Sequence, residues 1–155
     1  AGEMSGHTFF KDHYYGFDDA VYAGCRIIQI VAGKKKENPN FKITDMLEPF
    51  KSMSSSSEVR LPCPNSLKAQ TLEEFQKVIA ENPDFFGTNI KDIITIDGMR
   101  IVFEKGFALI RQSNTEPVFT LRFEADSKEN AQKYEDLMVN KLLEIIKNLS
   151  VQVTA

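Results

Sequence analysis

Cysteine is scarce in this 155-residue chain: only Cys25 and Cys63 occur, far apart and without metal-ligand spacing. No Cys/His signature surrounds either one, so neither is expected to be a nucleophile, and both read as reduced, Cys25 packed within a helix. Long apolar runs are missing as well. Nothing reaches the roughly 18 residues that would span a bilayer, so no membrane partner is expected. Charge of one sign is also lacking. The formal net charge is −3, which does not advertise a nucleic-acid partner, and an anionic ligand would need a local basic pocket. The longest basic run, Lys34-Lys35-Lys36, follows an apparent helix, where it suits the negative end of the dipole. The opening residues Ala1-Gly2-Glu3-Met4-Ser5-Gly6 lack the basic-then-apolar order of a signal peptide, so a cytoplasmic enzyme or domain is the default.

What is present is an ordinary globular composition, 42% apolar and 26% charged, in a length that suits one domain or a small domain with an appendage. The first helix is expected near Asp18 to Ala32, with Gly33 at its C-terminal cap. Val21, Cys25, Ile28 and Val31 recur at helical spacing, and Ile27 and Ile30 widen the stripe. So broad a stripe needs a partner surface, yet little chain precedes it. A polar linker is expected from Lys34 to about Asn40, then a short helix from Thr44 to Lys51. The run Ser54-Ser55-Ser56-Ser57 reads as a flexible hinge and the main domain boundary.

Beyond it, Glu58 to Leu61 reads as a short strand stopped by Pro62. Thr71-Leu72-Glu73-Glu74 reads as a capping box opening a helix to about Glu81. Asp97-Gly98 lies between two apolar runs, a hairpin signal that asks both residues for φ > 0. Strands are expected at Phe107 to Arg111 and Val118 to Glu124. In the latter, Phe119, Leu121 and Phe123 alternate with polar residues. A last helix, about Ser127 to Asn148, carries Ala131, Tyr134, Met138, Leu142, Ile145 and Leu149 on one stripe. The sum is an α+β domain, one antiparallel sheet backed by two helices.

Two segments do not read as scaffold. In Gly2-Glu3-Met4-Ser5-Gly6-His7, two glycines bracket a carboxylate and a hydroxyl, groups that can bind sugar hydroxyls. Taken alone it is more simply a flexible terminal loop. In Arg111-Gln112-Ser113-Asn114-Thr115-Glu116-Pro117, a guanidinium fork precedes three neutral donors, and successive amides can form an anion-binding nest. The plain alternative is a strand connection rich in turn formers.

Together these loops resemble those of the α-D-phosphohexomutases, in the bacterial phosphomannomutase/phosphoglucomutase group. Gly-Glu-Met-Ser-Gly-His is similar to that family's sugar-binding loop and Arg-x-Ser-Asn-Thr-Glu-Pro to its phosphate-binding loop. Phe9-Phe10-Lys11, Gly16-Phe17-Asp18-Asp19 and Leu121-Arg122-Phe123-Glu124-Ala125 add to the likeness, which is weakest from Lys34 to Glu58. Phosphoglucosamine mutases typically carry Gly at the position of Asn114 and Gln at that of Met4, so the likeness favours the phosphomannomutase/phosphoglucomutase group.

The resemblance implies a C-terminal part of a four-domain enzyme. Residues 1–33 would be the helical tail of the third, α/β domain, with the sugar-binding loop. Residues 34–57 would be the linker and hinge. Residues 58–155 would be a TATA-binding-protein-like phosphate-binding domain that closes the cleft. Glu3 and Ser5 would bind sugar hydroxyls. Arg111, Ser113, Asn114 and Thr115 would grip the phosphate not undergoing transfer. His7 is the candidate for assisting proton transfer.

The implied parent reaction interconverts the 1- and 6-phosphates of mannose or glucose through a phosphoserine and a bisphosphate intermediate. The implied partners are a hexose phosphate and the missing N-terminal domains. The phosphoserine loop is not found in this sequence, nor is the Asp-x-Asp-x-Asp loop that would hold the parent's Mg²⁺. The chain alone is therefore expected to be an inactive fragment with no metal site of its own. The alternative is a stand-alone, non-catalytic phosphate- or sugar-phosphate-binding module.

Overall fold

A computed structural model describes residues 1–3 and 6–153, the last two as backbone only. The chain divides into two compact units, Ala1–Phe50 and Lys51–Ala155.

In the first unit, helix α1 spans Ala20–Glu37 and a 3-10 helix spans Ile43–Phe50. Asp19 is the N-cap of α1, its Oδ1 accepting the Tyr22 N–H at 2.9 Å. Gly33 does not end the helix as expected. The three lysines after it are good helix formers, so α1 continues through them to Glu37 and is capped by Asn38. The broad apolar stripe is real but uncovered: Val21 is 79% exposed and Ile28 69%, and no α1 residue is buried. Cys25 is exposed too, contrary to the expectation that it is packed. The physical reason is a shortage of cover. Among the described residues, Ile43 and Met46 of the 3-10 helix share an apolar hollow of about 160 Å³ with Ile27, Ile30 and Val31.

The segment before α1 is folded onto it. Arg26 donates to Asp12 through both terminal nitrogens, at 3.1 and 2.9 Å, and its guanidinium lies 4.8 Å from the Phe10 ring centre. Tyr14 stacks on Tyr22 at 3.9 Å and donates to Asp19 at 2.6 Å.

The second unit is an antiparallel sheet with two helices on one face, the α+β architecture expected. Its elements are β1 (Ser54–Ser55), β2 (Val59–Pro62), α2 (Lys68–Glu81), β3 (Ile90–Ile94), β4 (Met99–Phe103), β5 (Gly106–Gln112), β6 (Val118–Ala125) and α3 (Lys128–Val153). The strand order is β1-β6-β5-β4-β3, with β2 also paired to β6. β2 covers residues 118–121 of β6, and β1 covers 124–125. The expected flexible serine run is therefore largely a sheet edge. Ser56 Oγ also accepts the Phe123 N–H at 3.1 Å, while its own N–H donates to Phe123 O at 2.9 Å. Backbone groups of β6 beyond the reach of β2 need partners, and the serines supply them.

Alternation along the strands puts Ile101 and Phe103 (β4), Ala108 and Ile110 (β5) and Phe119, Leu121 and Phe123 (β6) on the covered face, all at most 3% exposed. Phe75 and Ile79 of α2 and Met138 and Leu142 of α3 close over them. Each of the Phe, Leu, Ile and Met side chains contributes about 1.5–3 kcal/mol by leaving water, and the small Ala108 less.

Two local expectations fail. Helix α2 begins at Lys68, after a 3-10 turn at Asn65–Leu67, so Thr71 is not a cap. Its hydroxyl is fully buried, 3.9 Å from Cys63 Sγ. In the β3–β4 hairpin only Gly98 has positive φ (95°), and Asp97 does not, because the connection runs longer than two residues.

Candidate functional site

The sheet's other face carries the candidate residues. Because Ile110, Phe119 and Leu121 point at the helices, Arg111 and Thr120 point away from them. Thr120 pairs with Arg60 on one side and Arg111 on the other, so a row Arg60–Thr120–Arg111 crosses β2, β6 and β5. Arg122 stands two residues along β6 on the same face and donates to Ser55 Oγ at 2.9 Å.

At the end of that row the chain turns from β5 into β6. Ser113 N–H donates to Val118 O at 3.1 Å, and Val118 N–H to Glu116 O at 2.8 Å. Ser113 Oγ accepts the Glu116 N–H at 3.2 Å, which leaves its hydroxyl hydrogen to donate elsewhere. Asn114 and Thr115 are exposed at the tip. Among the described residues, no hydrogen bond occupies either of their backbone N–H groups. Arg111, Ser113, Asn114 and Thr115, the residues the sequence singled out, line one open groove of about 330 Å³ with Gln112, Thr120 and Glu58. Glu58 is the opposing charge there, and Arg60 offsets it, lying 3.7 Å from Glu58 and pairing with Glu116.

Three supports of this turn escaped the sequence reading. Asp97 Oδ2 lies 2.7 Å from Arg111 Nε and restrains the guanidinium. Gly98 lets the hairpin lie against the strand: a Cβ there would stand 2.1 Å from Ile110 O and 3.0 Å from Arg111 Cα. Lys68, only 4% exposed, donates to Ser113 O at 2.6 Å and Glu116 O at 2.5 Å. Asp97 was visible only as a turn residue, and nothing in the spacing around Lys68 signals a role.

The glycine loop sits in the first unit. Glu3 N–H donates to His7 O at 2.8 Å and Gly6 N–H to Glu3 O at 3.1 Å, with Gly6 at φ 94°. Glu3 and His7 thus share one tight turn, both exposed. Ser5, the other expected sugar contact, and Met4 lie outside the described residues. His7 Nδ1 is paired with Asp18, and this hydrogen bond and charge raise the imidazole above its usual 6.5. Nearby, the hydrogen bond to Asp19 pushes the Tyr14 hydroxyl up to about 12.

Residues 58–141 match the family model described as "Phosphoglucomutase/phosphomannomutase, C-terminal domain", and residues 1–50 the model for "alpha/beta/alpha domain III". The chain belongs to the phosphoglucomutase/phosphomannomutase family. Among its relatives, a phosphoglucomutase of Neisseria gonorrhoeae is 39% identical over 88% of this chain and 27% of the relative. A phosphomannomutase/phosphoglucomutase of Pseudomonas aeruginosa is 33% identical over 97% of the chain and 30% of the relative. A solved phosphoglucomutase/phosphomannomutase family protein from Burkholderia thailandensis superposes with a TM-score of 0.68 at 33% identity, over 93% of this chain and 28% of that one. The chain thus spans under a third of the length of these family members.

The magnesium that family resemblance implies does not fit this chain. Among the described residues, no three His, Cys, Asp or Glu side chains converge. The nearest candidates are committed elsewhere: Asp18 to His7, Asp19 to the α1 cap, Asp97 to Arg111, and Asp126 to Asn130. No helix of the described residues is long and apolar enough to cross a membrane.

Proposed function

We propose that this chain is the substrate-binding C-terminal part of a cytoplasmic hexose-phosphate mutase that interconverts the 1- and 6-phosphates of mannose and glucose. The observation that carries this is the β5–β6 turn. It lines one open groove with Arg111, with Ser113, whose hydroxyl is free to donate, and with Asn114 and Thr115, whose backbone amides are unoccupied among the described residues. Those are the donors a phosphate dianion asks for, and Arg111, held by Asp97, is the cation that lines the groove.

In this reading the turn holds the phosphate that is not being transferred, and Glu3 and Ser5 bind sugar hydroxyls. A serine elsewhere in the enzyme carries the phosphoryl group, gives it to the free hydroxyl of the sugar, and takes back the other phosphate after the bisphosphate turns round. Because both ends must fit the same turn, it reads charge and geometry more than sugar detail. His7, held by Asp18, would accept or return the hydroxyl proton. Residues 1–50, the span that matches the third-domain model, would belong to that domain in place of the 1–33 first expected, and the fourth domain would begin after a shorter linker. The exposed stripe of α1 would then be the face it packs against the rest of that third domain. Closure of the fourth domain over the sugar would exclude water and protect the phosphoserine. Mg²⁺ would be held by the enzyme's other domains.

The test is a mutase assay on the full-length protein and on this chain. The full-length protein should convert glucose 1-phosphate to glucose 6-phosphate, and this chain should not. Absence of turnover in the full-length protein, or turnover by the chain alone, refutes the assignment.

A further inference from the structure

Lysine is an odd choice for the first residue of a helix in a protein core. Its charge opposes the positive end of the α2 dipole, and at 4% exposure the ammonium has given up most of its water. Methionine would bury the same stem without either penalty. The ammonium answers with two short bonds, to Ser113 O and Glu116 O, the carbonyls that bracket Asn114 and Thr115.

The consequence follows from peptide geometry. Ser113 C=O and Asn114 N–H belong to one peptide unit, and no cis bond occurs in the described chain. In a trans unit the two groups point in opposite directions. A buried ammonium that draws the Ser113 carbonyl inward therefore turns the Asn114 N–H outward, toward the groove. It also keeps that carbonyl, which would repel an anion, off the groove. A full positive charge on the oxygen side polarises the amide further, making the N–H a stronger donor. Cys63 N–H fixes the turn's exit from the β2 side by donating to Pro117 O at 2.8 Å.

We propose that Lys68 is the positioning residue of the phosphate-binding turn. It never touches the anion, and acts through the Ser113–Asn114 peptide to aim and strengthen one of its donors. The inference rests on the reading of residues 111–115 as the phosphate site.

The test is an NMR titration of the 155-residue chain with inorganic phosphate. Amides of residues 113–115 should shift, and Arg111→Ala should abolish the response. Lys68→Met should weaken the phosphate dissociation constant about tenfold, on the scale of one charge-assisted hydrogen bond. The Asn114 amide should lose most of its response in that variant, and Lys68→Arg should restore part of it. If Lys68→Met fails to fold, the unmutated chain still decides. Its Lys68 Hζ–Nζ signal should be protected from solvent exchange and should move in step with phosphate saturation. Wild-type affinity in a folded Lys68→Met, or a Lys68 signal that stays still while the loop amides move, overturns the inference alone. No shift at residues 113–115 in the unmutated chain overturns the site reading, and this inference with it.

Discussion

Gly98→Ala is the most exacting substitution for the geometry behind Arg111. The added Cβ would meet Ile110 O at 2.1 Å and Ile110 C at 3.1 Å, both backbone, so no side chain can swing away. The residue also sits at φ 95°, where an L side chain costs about 1–2 kcal/mol. Forcing a carbon into packed backbone adds about 1–3 kcal/mol. Together these predict about 2–5 kcal/mol of lost stability. Arg111 Cα lies 3.0 Å from the new atom, so phosphate affinity should fall as well. Gly33→Ala is the control: it lies inside α1 with nothing within 4 Å and should stabilise that helix by up to about 1 kcal/mol. Urea unfolding followed by circular dichroism measures the stability change, and phosphate titration reads the site. If Gly98→Ala unfolds within about 0.5 kcal/mol of the unmutated chain, the close approach of hairpin and strand is wrong.

Arg111→Ala in the full-length enzyme should cost about 1.5–3 kcal/mol of substrate binding, the scale of a hydrogen bond to a charged group, and unchanged KM and kcat would count against it. The His7 imidazole should titrate above 6.5 by NMR, and Asp18→Asn should bring it back. Its pairing favours the folded state fully below pH 6.5, and that contribution fades as pH rises through the elevated folded value. A midpoint at or below 6.5 would contradict the pairing. Phe75→Ala, which empties a fully buried position between α2 and the sheet, should cost about 3–5 kcal/mol in the same urea assay. A loss under 1 kcal/mol would mean that α2 does not seal the core.

Periodicity made the second unit legible. Phe119, Leu121 and Phe123 alternate, and the α3 stripe recurs every three or four residues, because one face of each element is buried. The helix starts were harder. Thr71 has the chemistry of a cap but sits inside α2, since a 3-10 turn after Pro64 launches the helix early. The serine run has the composition of a hinge, yet the unpaired edge of β6 recruits it as strand. Composition cannot see an edge that exists only once the sheet has formed. The turn's own donors could be read because Arg111, Ser113, Asn114 and Thr115 lie close in sequence. Their supports could not: Lys68 is 45 residues from Ser113, and its role depends on where a carbonyl points.

The claim under all of this is that the β5–β6 turn holds a phosphate dianion. Titrating the chain with glucose 6-phosphate, against glucose as control, while following backbone amides tests it most directly. The account predicts shifts gathered at residues 111–115 and 120, absent with glucose, and growing between about pH 5 and 7 as the phosphate takes its second charge. Equal shifts with glucose, or shifts centred away from that turn, would contradict it.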